Sequence, residues 1–108
     1  MTDRELIEAA AKASSFDITW IEVDEWFWVL TDDGDSHPWN PLTDDGDALR
    51  LAVKLGMSVC PGPDTVQVAK LNSRGWLVAA YERIDVPDPY AATRRAIVRA
   101  AAALGDEP

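Results

Sequence analysis

Cysteine occurs once, at Cys60, so the chain has no internal disulfide framework and fits a reducing compartment. Cys60 precedes Pro61 with no cation beside it in sequence, which reads as an inert thiol rather than a nucleophile. Histidine also occurs once, at His37. A zinc site draws three or four ligands from Cys and His, which Cys60 and His37 cannot supply, so no metal and no cofactor is implied. A serine hydrolase system could use only His37 as its base, and Ser36 is adjacent in sequence and badly placed to partner it. There is no glycine-rich phosphate loop. No apolar run approaches the ~20 residues that span a bilayer. The opening Met1-Thr2-Asp3-Arg4-Glu5 is a polar lead-in to a helix rather than a basic signal region. These absences lead us to expect a cytosolic protein that is not an enzyme and has no membrane contact.

Lysine and arginine are missing from the whole stretch Ala13 to Leu49. That stretch holds ten carboxylates: Asp17, Glu22, Asp24, Glu25, Asp32, Asp33, Asp35, Asp44, Asp45 and Asp47. The rest of the chain has nine acids against ten bases, so the net charge of −9 arises entirely here. Four of the five tryptophans, Trp20, Trp26, Trp28 and Trp39, lie in the same stretch. A charge of −9 disfavours direct contact with nucleic acid, whose binding depends on Lys and Arg at phosphates. It favours a basic partner, whose encounter complementary fields accelerate. The plainer alternative is that acidity serves solubility.

The 108 residues suit one domain, 1–108, able to bury roughly 65% of its unfolded surface. Within it, 13–49 is an acidic, Trp-rich insert with the start of the second helix, and 104–108 is a loose tail. Thr2 or Asp3 caps a first helix to Ala13, with Glu5 completing a capping box and Leu6, Ala9, Ala10 and Ala13 as its stripe. Phe16 to Leu30 is extended, interrupted at Asp24-Glu25, with Trp26, Trp28 and Leu30 on one face and Phe27 and Val29 on the other. Both faces being apolar means burial on both sides or one face left for a partner. Asp33-Gly34 signals a hairpin joining Trp26–Thr31 to Ser36–Trp39, with Pro38 on an edge strand. Thr43 or Asp44 caps a second helix that Gly56 ends. Its apolar residues Ala48, Leu49, Leu51, Ala52, Val53 and Leu55 predict burial against a sheet, leaving Asp47, Arg50 and Lys54 as the polar edge.

Met57–Cys60, Thr65–Leu71 and Trp76–Ile84 are strands, the last two a hairpin through Asn72-Ser73-Arg74-Gly75. Apolar residues on both faces of the last strand predict a sheet with helices on both sides. Asp88, Pro89 and Gly105 bound the third helix. Tyr90, Thr93, Ile97, Ala100, Ala101 and Leu104 form its inward stripe, and Arg94, Arg95 and Arg99 a solvated side. The expected fold is α+β: a small antiparallel sheet of about three or more strands packed with three helices as an α-β-α sandwich.

Trp39-Asn40-Pro41-Leu42-Thr43-Asp44-Asp45-Gly46-Asp47-Ala48-Leu49-Arg50-Leu51-Ala52-Val53-Lys54-Leu55, and Asp88-Pro89-Tyr90-Ala91-Ala92-Thr93-Arg94-Arg95-Ala96-Ile97-Val98, look like segments recurrent in small bacteriophage and prophage proteins. With Trp20 after the first helix, the chain resembles the phage α-β-α sandwich domain family. The resemblance covers most of the chain and implies a fold and a phage setting, hence a host bacterial cytosol. It carries no catalytic residues over, and the long insert before Trp39 departs from the family pattern.

Thr-Asp-Asp-Gly-Asp occurs twice, at 31–35 and 43–47. Neither copy has the ligand spacing of a calcium loop, so the first reads as a turn and the second as a helix cap. The preferred functional expectation is a small phage protein that blocks a basic host protein or ribonucleoprotein complex, in the manner of an anti-CRISPR inhibitor. Its acids would stand where nucleic-acid phosphates sit, around Asp24, Glu25, Trp26, Trp28, Asp32, Asp33, Asp35, Trp39, Asp44 and Asp45. Tryptophan is over-represented at interface hot spots, although all four could instead complete a core. Two other expectations stand beside it. One is a small-ligand or nucleotide pocket lined by Tyr81, Tyr90 or Arg94; the other is a homodimer or larger assembly through the Trp-rich edge.

Overall fold

The computed structural model describes residues 2–30, 34–71, 74–75, 77–84 and 88–105. Helix α1 (Asp3–Ser14) starts on the expected capping box, in which the Thr2 hydroxyl accepts from the Glu5 amide at 3.1 Å and the Glu5 carboxylate accepts from the Thr2 amide at 3.3 Å. Its buried stripe is Leu6, Ile7, Ala10, Ala11 and Ser14, rotated from the expected one so that Ala9 and Ala13 are half-buried. Turning Ile7 inward removes more apolar area from water than the two alanines could. Ser14 tolerates burial because its hydroxyl donates to the Ala10 and Ala11 carbonyls.

Strand β1 (Asp17–Ile21) turns back through residues 22–25 into β2 (Trp26–Leu30), pairing Ile21 with Trp26 and Asp17 with Leu30. The Asp24-Glu25 interruption is therefore a hairpin turn, with Glu25 at φ 50° in the left-handed region without glycine. Strand β3 (Ser36–Pro38) pairs with the other side of β2, His37 opposite Val29. His37 thus lies in a strand rather than a loop, and Pro38 lies on an edge strand, where its missing amide leaves no ladder position empty. The Asp33 half of the expected turn lies outside the described residues, as do Thr31 and Asp32.

Helix α2 (Asp45–Leu55) is capped by Asp44, whose carboxylate accepts from the Asp47 amide at 2.8 Å, and ends at Gly56 with φ 66°. It buries Asp47, Ala48, Leu51 and Ala52, while Leu49 and Val53 are exposed, which corrects the expected wide apolar face and exposed Asp47. The reason is its neighbours: α2 lies on α1 and α3 (Pro89–Gly105) rather than on a sheet, and a helix partner covers only a narrow stripe.

Strands β4 (Ser58–Pro61), β5 (Thr65–Leu71) and β6 (Leu77–Arg83) form a second antiparallel sheet, with Val59, Val68 and Ala80 in one row. Val66, Val68 and Ala80 are buried on the side where α3 packs. The other side, expected to carry helices, is open: Leu71, Leu77 and Tyr81 are exposed there. Trp76 and residues 72–73 of the expected β5–β6 loop lie outside the described residues, as does the 106–108 tail.

Helix α3 starts at Pro89 with the Asp88 carboxylate accepting from the Ala91 amide at 3.1 Å. Its buried face is Ala96, Ile97, Val98, Ala100, Ala101 and Ala102, and Tyr90 is exposed rather than inward. The alanines of α1 and α3 let these two helices approach closely, and theirs is the most extensive helix–helix contact. The class is α+β, with three helices and two three-stranded antiparallel sheets. One core cluster joins Phe27, Val29 and Trp39 from the first sheet to Val66 and Val68 from the second, through Leu6, Ile7, Leu51, Ile97 and Val98. Among the described residues, no helix is long and apolar enough to cross a membrane.

Candidate functional site: the outer face of the first sheet

Strand alternation divides the first sheet into two chemically different sides. Ile18, Trp20, Phe27 and Val29 pack on the core, with the Trp20 and Phe27 rings edge to face at 5.0 Å. Ile21, Trp26, Trp28, Leu30 and Pro38 take the opposite side, as the sequence places Trp26, Trp28 and Leu30. The register sets Ile21 beside Trp26 and Thr19 and Pro38 on either side of Trp28. Although β2 is the central strand, Trp26 and Trp28 are only half-buried and Leu30 is 51% exposed.

Carboxylates ring this apolar strip. Asp17 stands beside Leu30 in the ladder. At the hairpin tip, Glu22, Asp24 and Glu25 are all exposed, and Val23 between them is 94% exposed. The Trp28 indole N–H donates to the Asp24 carboxylate at 3.0 Å, which fixes the ring and the turn together. Asp35 is exposed just before β3.

Of the residues expected to meet a partner, Asp24, Glu25, Trp26, Trp28 and Asp35 therefore gather on or around this face. Asp32 and Asp33 lie outside the described residues. Trp39 does not gather there, which corrects its reading as an interface anchor: it is 2% exposed, edge-on to Phe16 at 5.6 Å. The Trp39 amide donates to the Phe27 carbonyl at 2.9 Å, and alternation then carries its side chain to the core side.

Asp44 and Asp45 are part of the machinery that starts α2. Asp44 caps the helix and lies 3.9 Å from Arg50; Asp45 accepts from Arg94 at 2.5 Å. Buried Asp47 accepts from the Asn40 amide at 2.9 Å and from Arg50 at 2.8 Å. The second Thr-Asp-Asp-Gly-Asp copy is thus the helix cap expected of it. Among the described residues, no three acidic, His or Cys groups are placed to hold a metal ion.

The arginines of α3 make straps to neighbouring elements; Arg94 is largely buried, while Arg95 and Arg99 keep the half-exposed, solvated side expected of them. Arg94 donates to the Leu42 carbonyl at 2.9 Å as well as to Asp45, Arg95 pairs with Asp3 at 3.2 Å, and Arg99 pairs with Glu82 at 2.6 Å. Each fastens α3 to a different neighbour. Cys60 is a free, exposed thiol.

Two concavities lie next to the first sheet. One, of about 280 Å³, opens between the start of α1 and the hairpin tip, with Asp3, Arg4, Trp20, Glu25 and Trp26 among its walls. The other, of about 270 Å³, lies between the β2–β3 side of the sheet and α2, with Phe16, His37, Trp39, Arg50 and Lys54 among its walls.

The sequence reading did not assign Ile21, Val23 or Pro38 to this face, although it placed Pro38 on an edge strand; the period-two pattern of β1 and β2 was the available signal. It also gave no hint of the Arg4 guanidinium resting on the Trp20 ring, a contact between residues sixteen apart. Comparison with protein families, curated proteins and solved structures finds no match for this chain.

Proposed function

We propose that this chain is a non-enzymatic binding protein that docks the outer face of its first sheet on a basic partner. The observation that carries this reading is the juxtaposition on that face of a half-exposed Trp26–Trp28–Leu30 row with Asp17, Glu22, Asp24, Glu25 and Asp35. Half-buried aromatics give a desolvated centre and the surrounding carboxylates give steering and orientation, the division of labour seen in interfaces generally. The absence of Lys and Arg from residues 13–49 leaves the face free of charges that would repel a basic surface.

The partner class that best matches this chemistry is a nucleic-acid-binding protein or ribonucleoprotein, whose phosphate-binding groove would receive the carboxylates. The resemblance to small phage proteins supports a phage inhibitor of host defence, of the anti-CRISPR type, acting in the bacterial cytosol. Binding to a basic effector complex, measured across a salt series, tests this. Affinity should fall steeply with salt, and Trp28→Ala should lower it by roughly thirtyfold, the equivalent of about 2 kcal/mol at a hot spot. Affinity indifferent to both salt and Trp28 would overturn the reading.

A second reading, small-ligand binding, is favoured by the concavity between β2–β3 and α2. Its walls combine the Phe16 and Trp39 rings with Lys54, whose ammonium has no partner among the described residues. The residues expected for it do not contribute as anticipated: Tyr81 and Tyr90 are exposed, and Arg94 is engaged with Leu42 and Asp45. A thermal-shift screen with nucleotides and aromatic carboxylates separates this reading from the first.

A further inference from the structure

We propose that the cleft between the start of α1 and the β1–β2 hairpin tip is a receptor for an arginine side chain of the basic partner, with Trp20 as its aromatic wall and Glu25 as its acid. The inference rests on the docking reading above and gives the partner's chemistry at an adjoining cleft, which shares Glu25 and Trp26 with that face. The first observation is that the chain already puts a guanidinium there. The Arg4 Cζ lies 4.0 Å from the Trp20 ring centroid and 5.9 Å from that of Phe27. A planar, weakly hydrated guanidinium stacks on an indole face where a compact, strongly hydrated ammonium does so less well.

The second observation is how loosely that occupant is held. Among the described residues its only ion partner is Glu8, at 3.2 Å in the next helical turn, and both side chains are about half exposed. Surface pairs of this kind add little stability, so Arg4 can leave the ring at small cost. The third is charge. Asp3 and Glu25 both line the cleft, and among the described residues Arg4 is the only cation in its wall. Asp3 is paired with Arg95, whereas the Glu25 carboxylate has no partner among the described residues. The cleft has a volume of about 280 Å³, room for one long side chain beside Ile7 and Leu42. A partner's arginine entering it would take the Trp20 face from Arg4 and set its charge against Glu25.

The mechanism makes an uncommon demand: removing a cation from this protein should strengthen binding of a cation through relief of competition for one ring. The probe is the capped tripeptide acetyl-Gly-Arg-Gly-amide, titrated against the full chain by tryptophan fluorescence, with acetyl-Gly-Lys-Gly-amide as the second ligand. Arg4→Ala is expected to tighten the arginine peptide roughly two- to fivefold, the range of an exposed cation–π contact. Lys54→Ala, which makes the same charge change on α2 outside this cleft, is expected to change it far less. Trp20→Leu should abolish binding. Trp20→Phe, which keeps most of the ring volume and guards against a folding defect, should retain a weakened preference for arginine.

Equal tightening by Arg4→Ala and Lys54→Ala would reduce the effect to net charge and overturn the receptor. So would equal affinity for the two peptides, or the absence of binding to both wild type and Arg4→Ala. Leu30→Ala should leave peptide binding unchanged, because Leu30 lies on the opposite face of the sheet, away from the hairpin tip and outside the cleft wall. If the peptide fails to bind while Trp28→Ala still weakens the basic partner, the receptor falls and the docking face stands. If the peptide binds as expected while the partner ignores Trp28, the docking face falls instead.

Discussion

Sheet β1–β3 and sheet β4–β6 each bury one face in the shared core and present the other to solvent. On the first, the open face is a row of Trp26, Trp28 and Leu30 bordered by carboxylates. On the second it is Cys60, Gln67, Leu71, Leu77, Tyr81 and Arg83, and strand alternation puts no carboxylate on it. Both faces are partly apolar, so exposed hydrophobic area does not distinguish them. Charge does. In a chain of −9, exposed carboxylates border one open face, and the strand register places none on the other. Among the described residues only the first combines bordering carboxylates with a row of indoles, the combination that the proposed docking on a basic partner requires.

The two sheets are also anchored differently. The second relies on small β-branched residues, with Val66 and Val68 fully buried. The first relies on large rings, among them Trp20, Phe27 and Trp39, and on a buried polar joint at Asp47. Breaking that anchorage should give the largest effect. Trp39→Ala is expected to cost about 3–5 kcal/mol in denaturant unfolding, the range for removing a buried aromatic. A loss under about 1 kcal/mol would mean that the first sheet does not depend on its ring cluster.

Next in size is Asp47→Ala, expected to cost about 1–3 kcal/mol because the buried Asn40 amide loses its acceptor at 2.9 Å. The same unfolding measurement reads it, and a neutral outcome would show that the bond from Asn40 to Asp47 is not what joins the end of β3 to α2. Smaller again is Leu77→Ser on the open face of the second sheet. Stability should move by no more than about 0.5 kcal/mol, and affinity for the basic partner should be unchanged. If Leu77→Ser weakened the partner as much as Trp28→Ala, the distinction between the two faces would collapse.

The smallest expected effect concerns the start of α1. The Thr2 hydroxyl hydrogen bond, with the Thr2 amide second, holds the Glu5 carboxyl below its usual value. A folded-state pKa below the unfolded one gives stability that is complete above the unfolded value and disappears as pH falls through the folded value. Wild type should therefore melt above Glu5→Gln near neutral pH, and the two curves should converge as the solution is acidified below the ordinary carboxylate range. A gap independent of pH would mean that the charge of Glu5 plays no part in the cap.

Local chemistry accounts for what could be read in advance. Thr2 with Glu5, Asp44 with Gly56, and Asp88 with Pro89 mark helix ends because orphan amides and carbonyls need partners within a turn or two. Period-two alternation likewise put Trp26, Trp28 and Leu30 on one side and Phe27 and Val29 on the other. The first hairpin was hidden because its turn, Glu22-Val23-Asp24-Glu25, has no glycine or asparagine to announce it. The inward stripes of α1 and α2 were misplaced because Ile7 and Asp47 are chosen by what packs against them, and periodicity is blind to the neighbour.

The amino-acid sequence by itself determined the α+β class, most element boundaries, the confinement of negative charge to residues 13–49, and the sharing of one strand face by two tryptophans. These follow from interactions between residues a few positions apart. Tertiary structure alone decided that the strands divide between two sheets, that Trp39 is sealed while Trp28 is not, and that Asp45 is tied to Arg94 while Glu25 has no partner among the described residues. Burial and long-range pairing depend on which distant surfaces meet, and that is settled only when α1 and α3 close on one another and leave each sheet a single covered face.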